Sequence, residues 1–196
     1  MKPITYRPAA RKALRRMPVN TAQRIMGKIE AYAADPAAQA QNVKALHGRD
    51  GIRLRVGDWR VIMIDGEVLD VLEVGPCGSI DGQEAAMNEM VTIPRAEYER
   101  LLEAAEALAD VQAFDRAVAA GGGGMPHAIL ARIIAGEQPV RVIREWRGIT
   151  AAELARRAGL HRVQVHDIET GKTGGSVSTL KRIADALDVP LDDIVA

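Results

Sequence analysis

Three arginines stand close together in the first third of the chain. Arg53 and Arg55 alternate with apolar residues in Ile52-Arg53-Leu54-Arg55-Val56, and Arg60 follows the turn-forming pair Gly57-Asp58. Alternation with period two is the pattern of a half-buried strand, and it sets Arg53 and Arg55 on one face. A tight turn at Gly57-Asp58 brings Arg60 onto the adjacent strand. A guanidinium offers a planar fork of donors that matches phosphate oxygens. Three of them on adjacent strands would bind a polyanion; the plainer alternative is a solvated basic face. The charge distribution favours a role. Residues 1–60 hold 13 basic and 4 acidic side chains, residues 61–120 hold 3 and 13, and residues 121–196 hold 10 and 9. A basic block followed by an acidic block implies one polyanion-binding surface and one segment able to cover it.

A second group lies near the C-terminus. Thr150 to Leu160 reads as a capped helix and a glycine turn, with Thr150 and Glu153 at capping-box spacing and Gly159 in the turn. His161 to Glu169 reads as the next helix, with Val165 and Ile168 turned to the core. Helix, short turn, helix is the arrangement that lays its second helix in the major groove of DNA. Arg162 then offers two hydrogen bonds to a guanine edge, and Val163 an apolar contact to a thymine methyl. Gln164 and His166 fall near the groove or backbone, and Lys172 and Lys181 meet phosphates. Asp167 falls where it can face bases, and its charge repels phosphate. The alternative is a helical bundle whose charges are merely solvated.

These groups need elements to hold them. Ile4 to Arg7 reads as a short edge strand between Pro3 and Pro8, followed by two helices ending at Asp35-Pro36. Ile52–Val56, Trp59–Ile64 and Val68–Val74 read as a three-stranded meander. The expected fold is therefore an α+β N-terminal domain, β-α-α-β-β-β, with two helices on an antiparallel sheet, followed by an all-α helix-turn-helix domain. Val91–Ile93 reads as a short strand. Beyond Pro94, Tyr98, Leu101, Leu102, Ala105, Leu108 and Val111 recur at helical spacing on a helix rich in Glu and Asp. The expected boundaries are 1–81 for the basic domain, 82–90 for a linker, 91–120 for the acidic segment, 121–126 for a glycine-rich linker and 127–196 for the helical domain.

Composition excludes several classes. A single cysteine, Cys77, rules out an intrachain disulfide framework and a cysteine-based metal cluster. No stretch of about 18 apolar residues is present to span a membrane. The opening Met1-Lys2-Pro3-Ile4-Thr5-Tyr6-Arg7 lacks the apolar core of a signal peptide, so the expected location is cytoplasmic. Neither a cofactor nor a metal is called for.

Thr150 to Leu160, Ile168-Glu169-Thr170-Gly171-Lys172 and Leu180 to Ile194 together resemble the Xre/Cro family of repressors over residues 137–196. The resemblance implies operator DNA as partner and a homodimer on a palindrome. It implies DNA contacts from Ala151, Arg162, Val163, Gln164, His166, Asp167 and Lys172. Two departures stand out: His161 replaces the family's usual Ser or Thr cap, and Ala151 its usual Gln.

Leu46-His47-Gly48-Arg49, the stretch Ile52 to Ile62 and Val71-Leu72-Glu73-Val74-Gly75-Pro76 resemble the RelE/ParE toxin superfamily over residues 1–81. RelE-type members cut messenger RNA on the ribosome, and ParE-type members inhibit gyrase. The resemblance implies that Arg53, Arg55 and Arg60 bind RNA phosphates, with mRNA or the ribosome as partner. Metal-free RNA cleavage also needs transition-state charge and an acid. The family's usual arginine after the Val-Gly-Pro turn falls on Cys77 and its usual tyrosine on Asp81, so impaired cleavage is expected. Val91 to Ala105 resembles the N-terminal part of antitoxins that carry an Xre domain. That implies a toxin-first fusion in which Tyr98, Leu101, Leu102, Glu103 and Glu106 mask the arginines, unless the helix is solvated or serves dimerisation. Met87 and Met90 then read as former start sites of a second gene. The implied function is an autorepressor of its own promoter with a masked toxin-like domain. The alternatives are a latent ribonuclease freed by proteolysis and a decoy that binds a related toxin; a cognate or related toxin or antitoxin is an expected partner.

Overall fold

Alternating apolar and polar residues in a short stretch force two faces on a strand, and both faces here find a cover. The computed structural model describes residues 1–77 and 92–195. In chain order the N-terminal part runs β1 (Ile4–Tyr6), α1 (Pro8–Arg16), α2 (Val19–Ala34), a 3₁₀ turn (Ala37–Asn42), β2 (Val43–Ala45), β3 (Ile52–Val56), β4 (Trp59–Asp65) and β5 (Leu69–Pro76). The acidic helix α3 (Arg95–Ala120) follows, then β6 (Met125–Pro126). The C-terminal part is helical: α4 (His127–Ile134), α5 (Pro139–Trp146), α6 (Ala151–Ala158), α7 (Arg162–Glu169), α8 (Val177–Leu187) and a 3₁₀ turn (Leu191–Asp193). None of the described helices is long and apolar enough to cross a membrane.

The six strands lie in the order β2-β3-β4-β5-β1-β6. The expected meander is present, and β2 adds an antiparallel edge through Lys44↔Arg53. Two expectations are corrected. First, β1 is not an edge strand: it lies parallel to β5 (Thr5↔Asp70) and antiparallel to β6 (Tyr6↔Met125). Pro3 and Pro8 permit this because both fall outside the three paired residues. Second, Thr92 and Ile93 join no strand. Val91, the linker 82–90, Asp81 and both candidate start methionines lie outside the described residues.

α1, α2 and α4 cover one face of the sheet, around Tyr6, Leu14, Ile25, Ile29, Leu54, Met63 and Leu69, all fully buried. The same apolar cluster continues without a break into Val142, Ile143, Leu154, Val165 and Ile183 of the helical part. Polar contacts reinforce the junction. Arg11 on α1 is buried and donates to both carboxylate oxygens of Asp193, at 2.9 and 2.5 Å. It also donates to the carbonyls of Tyr6 and Gly123, at 2.7 and 2.9 Å. Lys12 pairs with Asp192, and Arg15 reaches the Val195 carbonyl. His127 lies between the Tyr6 hydroxyl (2.9 Å) and Glu30 (3.0 Å), and burial pushes its pKa below the ordinary histidine range.

The glycine run does not hang free between the domains. It lies along β1 and α1, and a Cβ on Gly122 or Gly124 would come within 2.8 Å of the Pro8 or Thr5 side chain. Small residues are required there because the backbone itself is the packing surface.

α3 covers the opposite face of the sheet. Ala113, Phe114 and Ala117 pack on Leu46, Ile62 and Leu72, with Ile64 at the margin. A register shift at Ile62/Met63 lets Leu72 join this layer, while Glu73 pairs with Arg116 of α3 at 3.3 Å. Phe114, the only phenylalanine in the chain, lies against Gly51, where a Cβ would sit 2.7 Å from the ring.

Two outcomes follow in urea unfolding of the full chain. Arg11→Ala strands the buried Asp193 carboxylate and lowers stability by about 3–5 kcal/mol, and because the core is continuous the loss shows in one transition rather than two. Phe114→Ala lowers stability by about 3–5 kcal/mol through the cavity it leaves under α3. Separate transitions for the sheet and the terminal helices would contradict the shared core.

Candidate functional site

Strand geometry delivers the three arginines as the sequence implies. Arg53 and Arg55 on β3 share a face, and Arg60 on β4 is the direct cross-strand partner of Arg55. Lys44 of β2 is the cross-strand partner of Arg53. The neighbouring position on β5 is Gly75, opposite Arg60, so no side chain fills the space above the Arg60 guanidinium from that strand.

This face is closed by α3. Asp110 is 3% exposed and enters between the arginines. Arg53 donates to its Oδ2 at 2.9 Å, and Arg60 Nη1 lies 3.5 Å from Oδ1 without hydrogen-bond geometry. Arg60 Nε and Asp110 Oδ1 have no hydrogen-bond partner among the described residues. Burial raises the Asp110 pKa, and the two arginines only partly offset that. Glu106 adds a second acceptor for Arg53 at 3.4 Å. Farther out, Glu103 accepts from Lys44 at 2.6 Å, and Asp115 accepts from Arg49 Nε and Nη2 at 2.6 and 2.7 Å. These two exposed carboxyls are held below the ordinary range by the hydrogen bonds they accept.

The expected masking set divides in two. Glu103 and Glu106 meet basic residues of the sheet, and Leu102 lines a groove of about 330 Å³ with Lys44, Arg53 and Arg55. Tyr98 and Leu101 do not reach the sheet; they are 57% and 53% exposed. The close-packing residues are instead Ala113, Phe114 and Ala117, because alanines let the helix backbone approach the sheet. Asp110 was missed among six similar acids. Its signal was spacing: with Ala113, Phe114 and Ala117 it forms the i, i+3, i+4, i+7 face of one helix.

Arg53 and Arg60 are therefore not a solvated face, whereas Arg55 is exposed and donates to the Gly57 carbonyl at 3.2 Å. Cys77 is half-buried beside this cluster. Burial pushes its thiol up, against the pull of Arg55, so it is a poor nucleophile.

The second candidate site is open. Thr150 caps α6 by accepting from the Glu153 N–H at 3.1 Å. The Glu153 carboxylate turns to Arg156 and Arg157 instead of closing the box, which lowers its pKa to about 2. Gly159 takes a left-handed φ of 60° and supplies the turn. α7 starts without a Ser or Thr cap; Gln164 Oε1 accepts from the His161 N–H at 3.0 Å and closes the helix end from inside. Val165 and Ile168 are buried, and Glu169 is anchored by Arg144 at 2.5 Å. Arg162, Val163, Gln164 and His166 are exposed, with Val163 67% exposed. Ala151 is partly exposed at the first position of α6. Asp167 is half-buried and pairs with Lys172 at 3.4 Å, which removes part of its repulsion toward phosphate.

Comparison with known proteins matches both regions separately. Residues 4–79 match the family described as ParE toxin of type II toxin–antitoxin system, parDE. Residues 140–194 match the family described as helix-turn-helix. No curated protein matches the chain. The two matches fall on the sheet domain that carries the arginines and on the helices that expose Arg162. The chain thus joins a ParE/RelE-type toxin domain at its N-terminus to an Xre-type helix-turn-helix domain at its C-terminus.

Proposed function

We propose that this protein is a sequence-specific DNA-binding repressor of its own promoter, with a toxin-like domain that α3 keeps from its target. The observation that carries this reading is a contrast between two cationic surfaces. Arg162 on α7 is exposed, while on the sheet Arg60 is buried and Arg53 partly buried against Asp110. Arg162 and Val163 read base edges, and Gln164, His166 and Lys172 position the helix on the backbone. Cys77 in place of an arginine, and Asp81 in place of a tyrosine, leave the toxin-like domain short of transition-state charge. Removing one electrostatic donor typically costs about 10²–10³ in rate, so RNA cleavage is at most weak even with the sheet uncovered. Two half-sites and a homodimer fit the geometry of such a helix-turn-helix unit.

An electrophoretic shift with the full chain on the DNA upstream of its gene tests the reading. Arg162→Ala should reduce operator preference over random DNA by about 1–3 kcal/mol, roughly 5- to 150-fold. Unchanged discrimination would remove Arg162 as a base reader, and an absence of operator binding by the unaltered chain would end the repressor reading.

Covering of the arginines has a pH signature. Glu103 and Asp115 have depressed folded values, so their contribution is fully present above the unfolded values of about 4.3 and 3.9. It is lost as pH falls through the lower folded values. Asp110 runs the other way: its folded value is raised, so the folded chain takes up that proton first, and this site alone gains stability toward acid. Carboxyl titration by NMR should place Glu103 and Asp115 below, and Asp110 above, the usual range. Ordinary values at all three would mean that α3 is not seated on the arginines in solution.

A further inference from the structure

α3 is apolar on two opposite sides, and among the described residues only one is packed. Asp110, Ala113, Phe114 and Ala117 face the sheet and are buried. On the other side, Tyr98, Leu101 and Leu108 are 57%, 53% and 59% exposed, and Ala105 falls between them. Their spacing, 3-4-3, is the seam that one helix presents to another. A helix apolar on opposite faces is stable in water when both faces are covered.

We infer that a second copy of this chain covers the outer face of α3, the two helices packing antiparallel across a two-fold axis near Glu103. Charge selects this occupant. All six acids of α3 already have a cationic partner within the chain: Glu97 with Arg100, Glu99 with Arg95, Glu103 with Lys44, Glu106 and Asp110 with Arg53, and Asp115 with Arg49. The outer face therefore offers an uncommitted carboxylate neither to a basic partner nor to repel its own copy. Size selects the direction. An antiparallel pairing about residue 103 sets Leu101 over Ala105 of the other copy and Tyr98 over its Leu108, so large side chains meet small ones at the centre. The pairing is isologous, so it closes at two copies. It stands on α3 alone and does not rest on the repressor reading.

Size-exclusion chromatography with light scattering on the full chain tests it. At tens of micromolar the mass should be twice the 21.1 kDa of one chain. Leu101→Glu combined with Leu108→Glu should weaken self-association by at least about 30-fold, the loss typical of central interface anchors. Circular dichroism and melting at low concentration should stay unchanged, because both side chains are more than half exposed. Ala105→Trp, which removes a side chain's room without adding charge, should also separate the copies. A monomeric unaltered chain would overturn the proposal, as would a dimer that survives both variants. A dimer that dissociates as expected yet binds no operator would leave the pairing in place and remove only the repressor reading.

Discussion

One buried carboxylate among cations governs how this chain is assembled. Arg53 and Arg60 cannot be 13% and 9% exposed at their side chains without a countercharge, because an isolated guanidinium out of water costs several kcal/mol. Asp110 provides it, and can do so only if α3 lies flat on the sheet. That position in turn needs Ala113 and Ala117 for close approach, Gly51 to admit the Phe114 ring, and the register shift in β5 that turns Leu72 toward the helix. The carboxylate is not ideally satisfied, since Oδ1 and Arg60 Nε have no hydrogen-bond partner among the described residues. The arrangement is held by the apolar contacts around it more than by its own geometry.

The other face of the sheet shows a second dependence. The toxin-like and DNA-binding parts are consecutive in sequence, but they share one apolar core and the Arg11–Asp193 pair at their junction. These contacts set the direction in which α7 points relative to the sheet. The orientation of α7 is thus set by the toxin-like domain as well as by its own neighbours.

Much of this was legible in residue spacing. The meander follows from alternation in Ile52–Val56 and the turn at Gly57-Asp58, and α6 and α7 follow from the Thr150 cap and the glycine turn at Gly159. What local patterns could not give were the partners of each surface. β1 looked like an edge because a strand of three residues carries no sign of its neighbours, and β6 has only two residues with no alternation to read. The expected masking set on α3 is Tyr98, Leu101, Leu102, Glu103 and Glu106; Leu102, Glu103 and Glu106 do meet the basic residues of the sheet, but the side that packs closely is Ala113, Phe114 and Ala117. Helical periodicity gives the faces but not which one docks. The glycine run reads as a flexible connector by composition, and only the proximity of Pro8 and Thr5 gives it a packed conformation.

The pairing of Thr5 and Tyr6 with Pro126 and Met125 has a consequence for how the molecule divides. The sheet begins within the first residues and is completed only after α3 has been laid across its far side. A cut anywhere between Ala45 and Gly121 removes material that both halves rely on: the earlier piece would bare the backbone of β1 to further strand addition, and the later one would lose the seat of α4. The two matched regions can be told apart along the polypeptide, yet in space they share one core and do not come apart as independent bodies.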